Sequence, residues 1–209
     1  MLLKALGLLM ITGLTFIKNF SDVHKFQQYG YYMNQYLPKA RQKLLKPYEI
    51  IYLVGTLLVF LTAELPLQIL GLLLMLLNGY FYALIVKAYP AKKKCVYTPR
   101  VKRMLTTALA LLILFAVGMM LLPTRFSALY GFIIYPMSFI LIYLANTLNK
   151  PIETAINNYY YKDALRLLNN NPNLIVIGVT GSFGKTSTKN VLYSMLSKDF
   201  NVLMTPESF

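Results

Sequence analysis

Three long stretches without a charged residue decide what this chain can fold into. They are Leu67 to Val86, Met104 to Leu122 and Phe126 to Ala145. Each approaches the ~20 residues with which an α-helix, rising about 1.5 Å per residue, crosses a hydrocarbon core of ~30 Å. The charged fraction of the whole chain is 13%, about half of the ~25% that is usual in soluble domains. The sequence therefore predicts a membrane protein.

Two shorter apolar stretches raise the predicted number of membrane spans to five. Ala5 to Ile17 and Ile50 to Ala63 are too short alone, but apolar neighbours extend both of them. Only Lys4 precedes the first stretch and no small-x-small cleavage site follows it, so an uncleaved anchor is favoured over a signal peptide. The predicted membrane domain covers residues 1–148, with spans at 3–18, 49–65, 67–86, 104–122 and 126–146.

The distribution of positive charge predicts how the spans are oriented. Thirteen of the 21 Lys and Arg residues lie in two segments between spans, whereas the other side of the membrane would hold only Lys4 and Arg125. Because cytoplasmic loops carry the excess of Lys and Arg, the carboxyl-terminal segment is predicted to be cytoplasmic. A nucleic-acid partner is not predicted, since the net charge of +14 is concentrated in loops rather than spread over a folded face. The thirteen residues are Lys18, Lys25, Lys39, Arg41, Lys43, Lys46, Lys87, Lys92, Lys93, Lys94, Arg100, Lys102 and Arg103.

Two polar segments are predicted to form amphipathic helices. Residues 20–46 carry apolar side chains at three- to four-residue spacing among lysines, which is typical of a helix on the anionic inner leaflet; a solvated connector is the alternative. Pro151 can occupy the first turn of the second helix, which Asn169-Asn170-Asn171-Pro172 ends. Residues 149–172 are therefore predicted to link the membrane domain to a following domain. The apolar residues of the first segment are Phe26, Tyr29, Met33, Tyr36 and Leu37.

Four isolated polar residues have both a functional and a structural interpretation. An intramembrane carboxylate is a functional hypothesis, but Glu64 is expected at the solvated outer end of a helical hairpin. Asn78, in mid-span, either lines a site or bonds a neighbouring helix, and the second is favoured. His24 has no second His or carboxylate pair beside it, and Cys95 is the single cysteine, so neither predicts a metal site.

A glycine-rich motif near the end of the sequence predicts a phosphate-binding loop. It runs from Gly178 to Lys189 (GVTGSFGKTSTK) and follows the apolar run Leu174 to Val179, which predicts a strand. Closely spaced glycines let backbone N–H groups close around phosphate oxygens; Lys185 supplies a point charge for the β- and γ-phosphates, and the Thr186 hydroxyl is placed to ligate Mg²⁺. The predicted nucleotide-binding residues are Thr180, Gly181, Ser182, Phe183, Gly184, Lys185, Thr186 and Ser187.

The residues after this loop predict the opening of a parallel sheet. A helix is expected from about Lys185 to Leu196, followed by a second strand from Asn201 to Met204. A strand, a helix and a second strand in this order form a βαβ unit. The predicted fold class is therefore an α-helical membrane domain followed by the truncated start of an α/β P-loop nucleotide-binding domain.

The pattern T-G-x-x-G-K-[ST] with further hydroxyls, from Thr180 to Thr188, resembles the start of the central ATPase domain of the Mur ligases. Thr205-Pro206-Glu207-Ser208-Phe209 is similar to the loop after the next strand in their D-alanyl-D-alanine-adding branch. The resemblance covers residues 173–209. Two positions depart from the patterns, because Val179 stands where a strict Walker A motif has Gly or Ala, and Phe183 stands where these ligases commonly have Asn.

This resemblance implies an ATP-dependent carboxylate–amine ligase that acts in cell-wall or related envelope precursor synthesis. ATP would phosphorylate a substrate carboxylate to an acyl phosphate, and an amine would displace the phosphate. Lys185 would be the catalytic cation and Thr186 the Mg²⁺ ligand. Mur ligases usually begin with a soluble domain that recognises a UDP-linked substrate, whereas this chain begins with membrane spans, so a membrane-located carboxylate is a plausible substrate here.

Two alternatives remain beside the ligase. One is a membrane P-loop ATPase or transport-linked protein, in which hydrolysis drives a conformational change. The other is an inactive truncated fragment, because the residues after Pro172 are too few to cover a sheet on both faces. The 209-residue chain alone is accordingly expected to be inactive.

Reporter fusions test the predicted orientation. A fusion after Asn169 is expected to report the cytoplasm and a fusion after Pro123 the exterior, because the positively charged segments hold the intervening loops inside. The measurement is alkaline phosphatase activity against green fluorescence for each fusion. Exchange of the two reports would contradict the five-span arrangement.

Overall fold

The structure is a computed structural model that describes residues 1–41, 47–88 and 95–205. Within these residues all regular secondary structure is helical. The chain divides into two compact units, residues 1–157 and 158–209, which are described separately below. Lys43, Lys46, Lys92, Lys93, Lys94 and the segment Pro206–Phe209, all used in the sequence analysis, lie outside the described residues. The helices are α1 (Leu2–Gln28), α2 (Met33–Arg41), α3 (Pro47–Leu61), α4 (Leu65–Ala88), α5 (Pro99–Leu121), α6 (Thr124–Ile134), α7 (Ser138–Asn169) and α8 (Lys185–Leu196).

Three of these helices, α1, α4 and α5, are long and apolar enough to cross a membrane. This finding agrees with the predicted membrane protein and with three of the five predicted spans. The predicted span 49–65 corresponds to α3, whose 15 residues extend only about 22 Å at the helical rise. The fifth span, 126–146, is broken into α6 and α7, which meet at 83°. The described helices therefore give three spans, or four if the bent pair crosses as one.

Pro136 explains why the fifth predicted span is broken. α6 ends at Ile134 and α7 begins at Ser138, so the proline lies in the three residues between them. Proline has no backbone N–H, and its ring clashes with the preceding turn of a helix. A break inside an apolar segment leaves backbone groups without helical partners, and such groups need partners from the rest of the protein when water is excluded.

Two apolar clusters form the core of the first unit. One joins the carboxyl-terminal half of α1 and α2 to α5 and α7, through Phe26, Tyr36, Met104 and Ile142. The other joins the amino-terminal half of α1 to α3, α4 and α6. Its main buried members are Leu8, Ile11, Tyr52, Val59, Phe60, Met75, Ala128, Tyr130 and Tyr135.

Helices α3 and α4 form a closely packed hairpin in the second cluster. Gly55 on α3 faces Gly71 on α4, and a Cβ added to either would lie 2.6 Å from the carbonyl oxygen of the other. Neither position can hold a larger residue without separating the helices. Small residues at such crossings are typical of helix packing in membranes, where close backbone approach replaces the hydrophobic driving force.

A polar layer crosses the first unit between the two apolar clusters. We define it as Thr15, Lys18, Asn19 and Asp22 on α1, Glu49 on α3, Asn78 on α4, and Tyr135 and Ser138 at the α6–α7 break, all of them buried. The Lys18 ammonium donates to Glu49 Oε1 at 2.8 Å and to the Tyr135 carbonyl at 2.9 Å. One turn later on α1, Asp22 Oδ2 accepts a hydrogen bond from Ser138 Oγ at 2.5 Å. Two α1 side chains thus hold the two sides of the break.

The polar segments of the first unit differ from their predicted form. Residues 20–28 continue α1, and Phe26 and Tyr36 are buried in the protein, so the segment is not a separate helix resting on the lipid surface. Helix α7 runs from Ser138 to Asn169 with Pro151 inside it rather than in its first turn. Asn149 supports this stretch, because its Nδ2 donates to the Ala145 carbonyl at 2.8 Å and to Thr107 Oγ1 at 2.9 Å.

Replacing Lys18 tests the polar layer as a stabilising element. Lys18→Met is expected to lower the free energy of unfolding by about 3 kcal/mol, since it leaves Glu49 buried without its cation and the Tyr135 carbonyl without a donor. Thermal unfolding of the detergent-solubilised chain measures the effect. Lys162→Met, at an exposed site, serves as the control and is expected to change little. A wild-type unfolding midpoint for Lys18→Met would contradict the stabilising role.

Candidate functional site

The glycine-rich motif forms a turn that leads into the amino terminus of α8. Gly184 is the N-cap residue and has φ 75°, in the left-handed region that favours glycine. A Cβ at this position would meet no atom within 4 Å, so the backbone conformation rather than lack of space requires glycine here. The turn followed at once by a helix agrees with the arrangement predicted for residues 180–188.

Backbone N–H groups at the start of α8 are available to an anion. The first helical bond runs from the Thr188 N–H to the Gly184 carbonyl at 2.8 Å. The amides of Lys185, Thr186 and Ser187 precede this bond, and the N-cap residue makes no side-chain capping bond. The first turn of α8 contains no acidic residue. The helix dipole and these amides therefore favour negative charge at this end.

The Lys185 side chain folds back over the turn. Its ammonium donates to the Gly181 carbonyl at 2.6 Å in a solvent-exposed contact, which places the charge next to the loop. Lys189, one helical turn later, donates to the Thr205 carbonyl at 2.6 Å. This second contact brings the end of the 201–205 segment next to α8, as expected if that segment returns alongside the helix.

The two strands predicted around the loop are not formed in the described residues. Leu174 to Val179 and Asn201 to Met204 have no ladder partner, and Ile175 is 79% exposed. An isolated apolar segment has nothing to pair with, because a strand exists only through its neighbours in a sheet. The two predicted strands, and with them the predicted start of an α/β domain, are therefore not found in the described residues.

The geometry of the loop is compatible with a bound anion, and its donor set offers one hydroxyl to a magnesium ion. Left-handed Gly184, the open amides and the folded Lys185 suit a multiply charged anion. Thr186 is exposed beside them and is the loop's candidate Mg²⁺ ligand. The described residues contain no group of three or more His, Cys, Asp or Glu side chains that could hold a metal. Phe183 is 94% exposed and does not pack against the loop.

The polar layer in the first unit is the feature that the sequence analysis missed. Lys18 was assigned to a cytoplasmic segment and Asp22 to a surface helix, yet both lie inside the helical unit. The sequence signal that could have indicated the layer is the recurrence of polar residues at positions 15, 18, 19 and 22. These positions lie on one face of a helix. Asn78, which was predicted to bond a neighbouring helix, belongs to the layer. It accepts from the Tyr135 hydroxyl at 2.7 Å and donates to the Tyr48 carbonyl at 2.8 Å.

The surroundings of the other isolated polar residues do not indicate a functional site. Glu64 is exposed at the α3–α4 connection. The His24 ring nitrogen lies 3.2 Å from the Gln28 side-chain nitrogen on the same helix. Burial raises the pKa of the Cys95 thiol, which lowers its thiolate fraction and therefore its reactivity. None of the three belongs to a group of metal-ligating side chains in the described residues.

No protein-family model matches this chain, and no curated protein or solved structure is significantly similar to it. Its functional interpretation therefore depends on the phosphate loop and on the polar layer.

Proposed function

We propose that this chain belongs to a membrane-attached ATP-dependent carboxylate–amine ligase of the Mur type. The observation that carries the proposal is the conformation of the glycine-rich loop, with left-handed Gly184 before α8 and the Lys185 ammonium 2.6 Å from the Gly181 carbonyl. A turn of this kind, followed by open helical amides, is suited to bind the phosphates of ATP. The sequence resemblance selects the ligase among the enzymes that use such a loop.

Each loop residue has a defined task in this proposal. The ammonium of Lys185 and the amides of Gly181 to Lys185 bind the β- and γ-phosphates and offset the charge that develops on the γ-phosphoryl group during transfer. The hydroxyl of Thr186 is the ligand that this chain offers to Mg²⁺, which supplies further positive charge when bound. The phosphoryl acceptor is the carboxylate of an envelope precursor, and an amine then displaces phosphate to form the amide.

The proposed setting is a bacterial cell membrane with the loop on the cytoplasmic side, where ATP is present. The positively charged segments around residues 25–47 and 87–103 would face the anionic inner leaflet, each charge near the surface contributing about 1 kcal/mol. A five-span arrangement requires that α3 and the bent α6–α7 pair both cross the membrane. The short α3 could do so only with local thinning of the bilayer or with its flanking residues.

A second candidate function is a membrane ATPase or transport-linked protein. The observation in its favour is the polar layer, because buried charges and broken helices inside a membrane are typical of transport pathways. The two functions differ in what ATP consumption requires. A ligase sustains ATP consumption only when both a carboxylate and an amine are present, because the acyl phosphate otherwise accumulates, whereas an ATPase does not need the amine.

Replacing Lys185 tests the nucleotide role of the loop. Lys185→Ala is expected to reduce ATP-dependent ligation at least ~10²-fold, in line with the loss of one preorganised electrostatic contact of about 2.7 kcal/mol or more. The measurement is steady-state ADP release and amide formation by the protein purified from its native membrane, with dialysed envelope extract as the source of the carboxylate and D-alanyl-D-alanine added as the amine. Lys198→Ala, at an exposed position beyond α8, is the matched control and is expected to keep wild-type turnover.

Two results would contradict the proposal in different ways. Wild-type turnover of Lys185→Ala would exclude the loop as the phosphate site. ADP release that is unchanged when the amine is omitted would favour the ATPase over the ligase.

A further inference from the structure

The turn between α1 and α2 places an aromatic ring against a guanidinium group. Gly30 and Tyr31 have φ 60° and 64°, so two successive residues are left-handed, a conformation that a bulky side chain rarely adopts. The Tyr31 N–H donates to the Phe26 carbonyl at 3.1 Å, and the two rings are perpendicular with centroids 5.5 Å apart. These contacts fix the Tyr31 ring, and the central carbon of the Arg100 guanidinium lies 4.0 Å from its centroid.

Arg100 is held beside this turn by contacts of the segment that precedes it. The Gln27 side chain exchanges two hydrogen bonds with the Val96 backbone, at 2.8 and 3.1 Å, which joins this segment to the end of α1. Thr98 caps α5, since its Oγ1 accepts from the Val101 N–H at 3.3 Å. The position of Arg100 in the first turn of α5 is therefore determined by these contacts rather than by an ion pair of its own.

The Arg100 guanidinium has hydrogen-bonding capacity that the described residues do not use. Its Nε is buried without a hydrogen-bond partner, and none of the three ion pairs in the described part of the chain includes it. A guanidinium carries five N–H donors in a planar fork that matches a phosphate or a carboxylate. Stacking on Tyr31 uses the face of this group and leaves the N–H groups at its edge for a ligand.

The charges at this end of the first unit select an anionic ligand. The Asp22 carboxylate already has the Lys25 ammonium at 3.6 Å. Glu153, on α7, binds Arg103 at 2.7 Å. The neighbouring segments 42–46 and 89–94, outside the described residues, contain five lysines and no acidic residue. An anion is therefore attracted here by an excess of positive charge. The exposed cations of this end are Lys25, Lys39 and Lys102.

This end of the first unit lies at the level of lipid headgroups when α5 crosses a membrane. Helices α1 and α5 are antiparallel, because at their other end the Lys4 ammonium donates to the Met120 carbonyl at 2.9 Å. The 23 residues of α5 extend about 35 Å, slightly more than a hydrocarbon core of ~30 Å. Arg100, in the first turn, therefore lies at the boundary. Tyr32 and Tyr97, in the two segments that form the site, are 63% and 57% exposed, as is typical of interfacial tyrosines.

We propose that Arg100, stacked on Tyr31, binds the phosphate of an anionic phospholipid. The ring fixes the plane of the guanidinium, so that two parallel N–H groups can donate to two phosphate oxygens. This site is separate from the phosphate loop and does not depend on the proposed ligase activity. A lipid that binds the folded chain and not the unfolded chain stabilises the folded unit.

Thermal unfolding of the purified chain in a neutral detergent, followed by circular dichroism, tests the site. Phosphatidylglycerol is compared with phosphatidylcholine, whose headgroup has no net charge. The unfolding midpoint is expected to rise with phosphatidylglycerol in a saturable way, by about 3 °C or more at ten times the dissociation constant. Glycerol 3-phosphate separates a lipid from a soluble phosphate and is expected to leave the midpoint unchanged.

Two substitutions of Arg100 separate a bound phosphate from general attraction between charges. Arg100→Lys keeps the charge and has no ion pair to lose, so it is expected to fold, but it removes the planar fork. The phosphatidylglycerol concentration for half of the rise is expected to increase about tenfold. Arg100→Gln also removes the charge and is expected to abolish the rise in the same concentration range. Lys102→Gln, at an exposed position in the same turn, is the matched control and is expected to keep the rise.

Three outcomes would overturn the proposal. Equal midpoints in phosphatidylglycerol and phosphatidylcholine would mean that the chain does not select an anionic lipid. A wild-type response of Arg100→Lys, or equal losses in Arg100→Gln and Lys102→Gln, would mean that the basic surface attracts lipid without a defined site. A rise with glycerol 3-phosphate as large as the rise with the lipid would assign Arg100 to a soluble anion.

Discussion

The contact of the Lys18 ammonium with the Tyr135 carbonyl, at 2.9 Å, is the interaction on which the helical unit depends. The carboxyl-terminal end of α6 carries partial negative charge and the amino-terminal end of α7 partial positive charge. The Lys18 ammonium lies at the carboxyl-terminal end of α6. The Asp22 carboxylate lies at the amino-terminal end of α7, where it accepts a hydrogen bond from Ser138. Each of the two α1 charges is therefore opposite in sign to the partial charge of the helix end beside it. A break at Pro136 would otherwise leave backbone groups unpaired in an apolar environment.

This arrangement also accounts for the position of Glu49. An ammonium that lies inside the unit needs a carboxylate beside it, and Glu49 on α3 is 0% exposed at 2.8 Å from Lys18. Asn78 then connects α4 to the same point, because it accepts from the hydroxyl of Tyr135. The polar layer thus joins α1, α3, α4 and the α6–α7 break.

The sequence predicted those elements whose structure is determined by the residues within them. Helices α4 and α5 follow from uncharged apolar runs of sufficient length, and the turn before α8 follows from Gly184 and its neighbours. The strands at 174–179 and 201–204 were not obtained, because a strand needs a partner that local composition does not supply. The break at Pro136 was not predicted, because the length of the apolar run favours one span whereas the proline interrupts the helix.

The candidate sites show the same difference between local and long-range information. The turn at Gly184 and the start of α8 were predictable residue by residue, since the glycines, the lysine and the helix start are contiguous in the chain. The polar layer could not be assembled from the sequence, because Lys18 and its partners Glu49 and Tyr135 are separated by 31 and 117 residues. Only the spacing of polar residues on α1 indicated a buried face.

Cysteine cross-linking tests the central claim that α1 holds the break. In a Cys95→Ser background, Asp22→Cys combined with Ser138→Cys should form a disulfide rapidly under mild oxidation, because the native side chains are in hydrogen-bond contact. Asp22→Cys with Leu148→Cys, about 15 Å further along α7 at 1.5 Å per residue, should not. Rapid cross-linking of the second pair and none of the first would contradict the pairing of α1 with the start of α7.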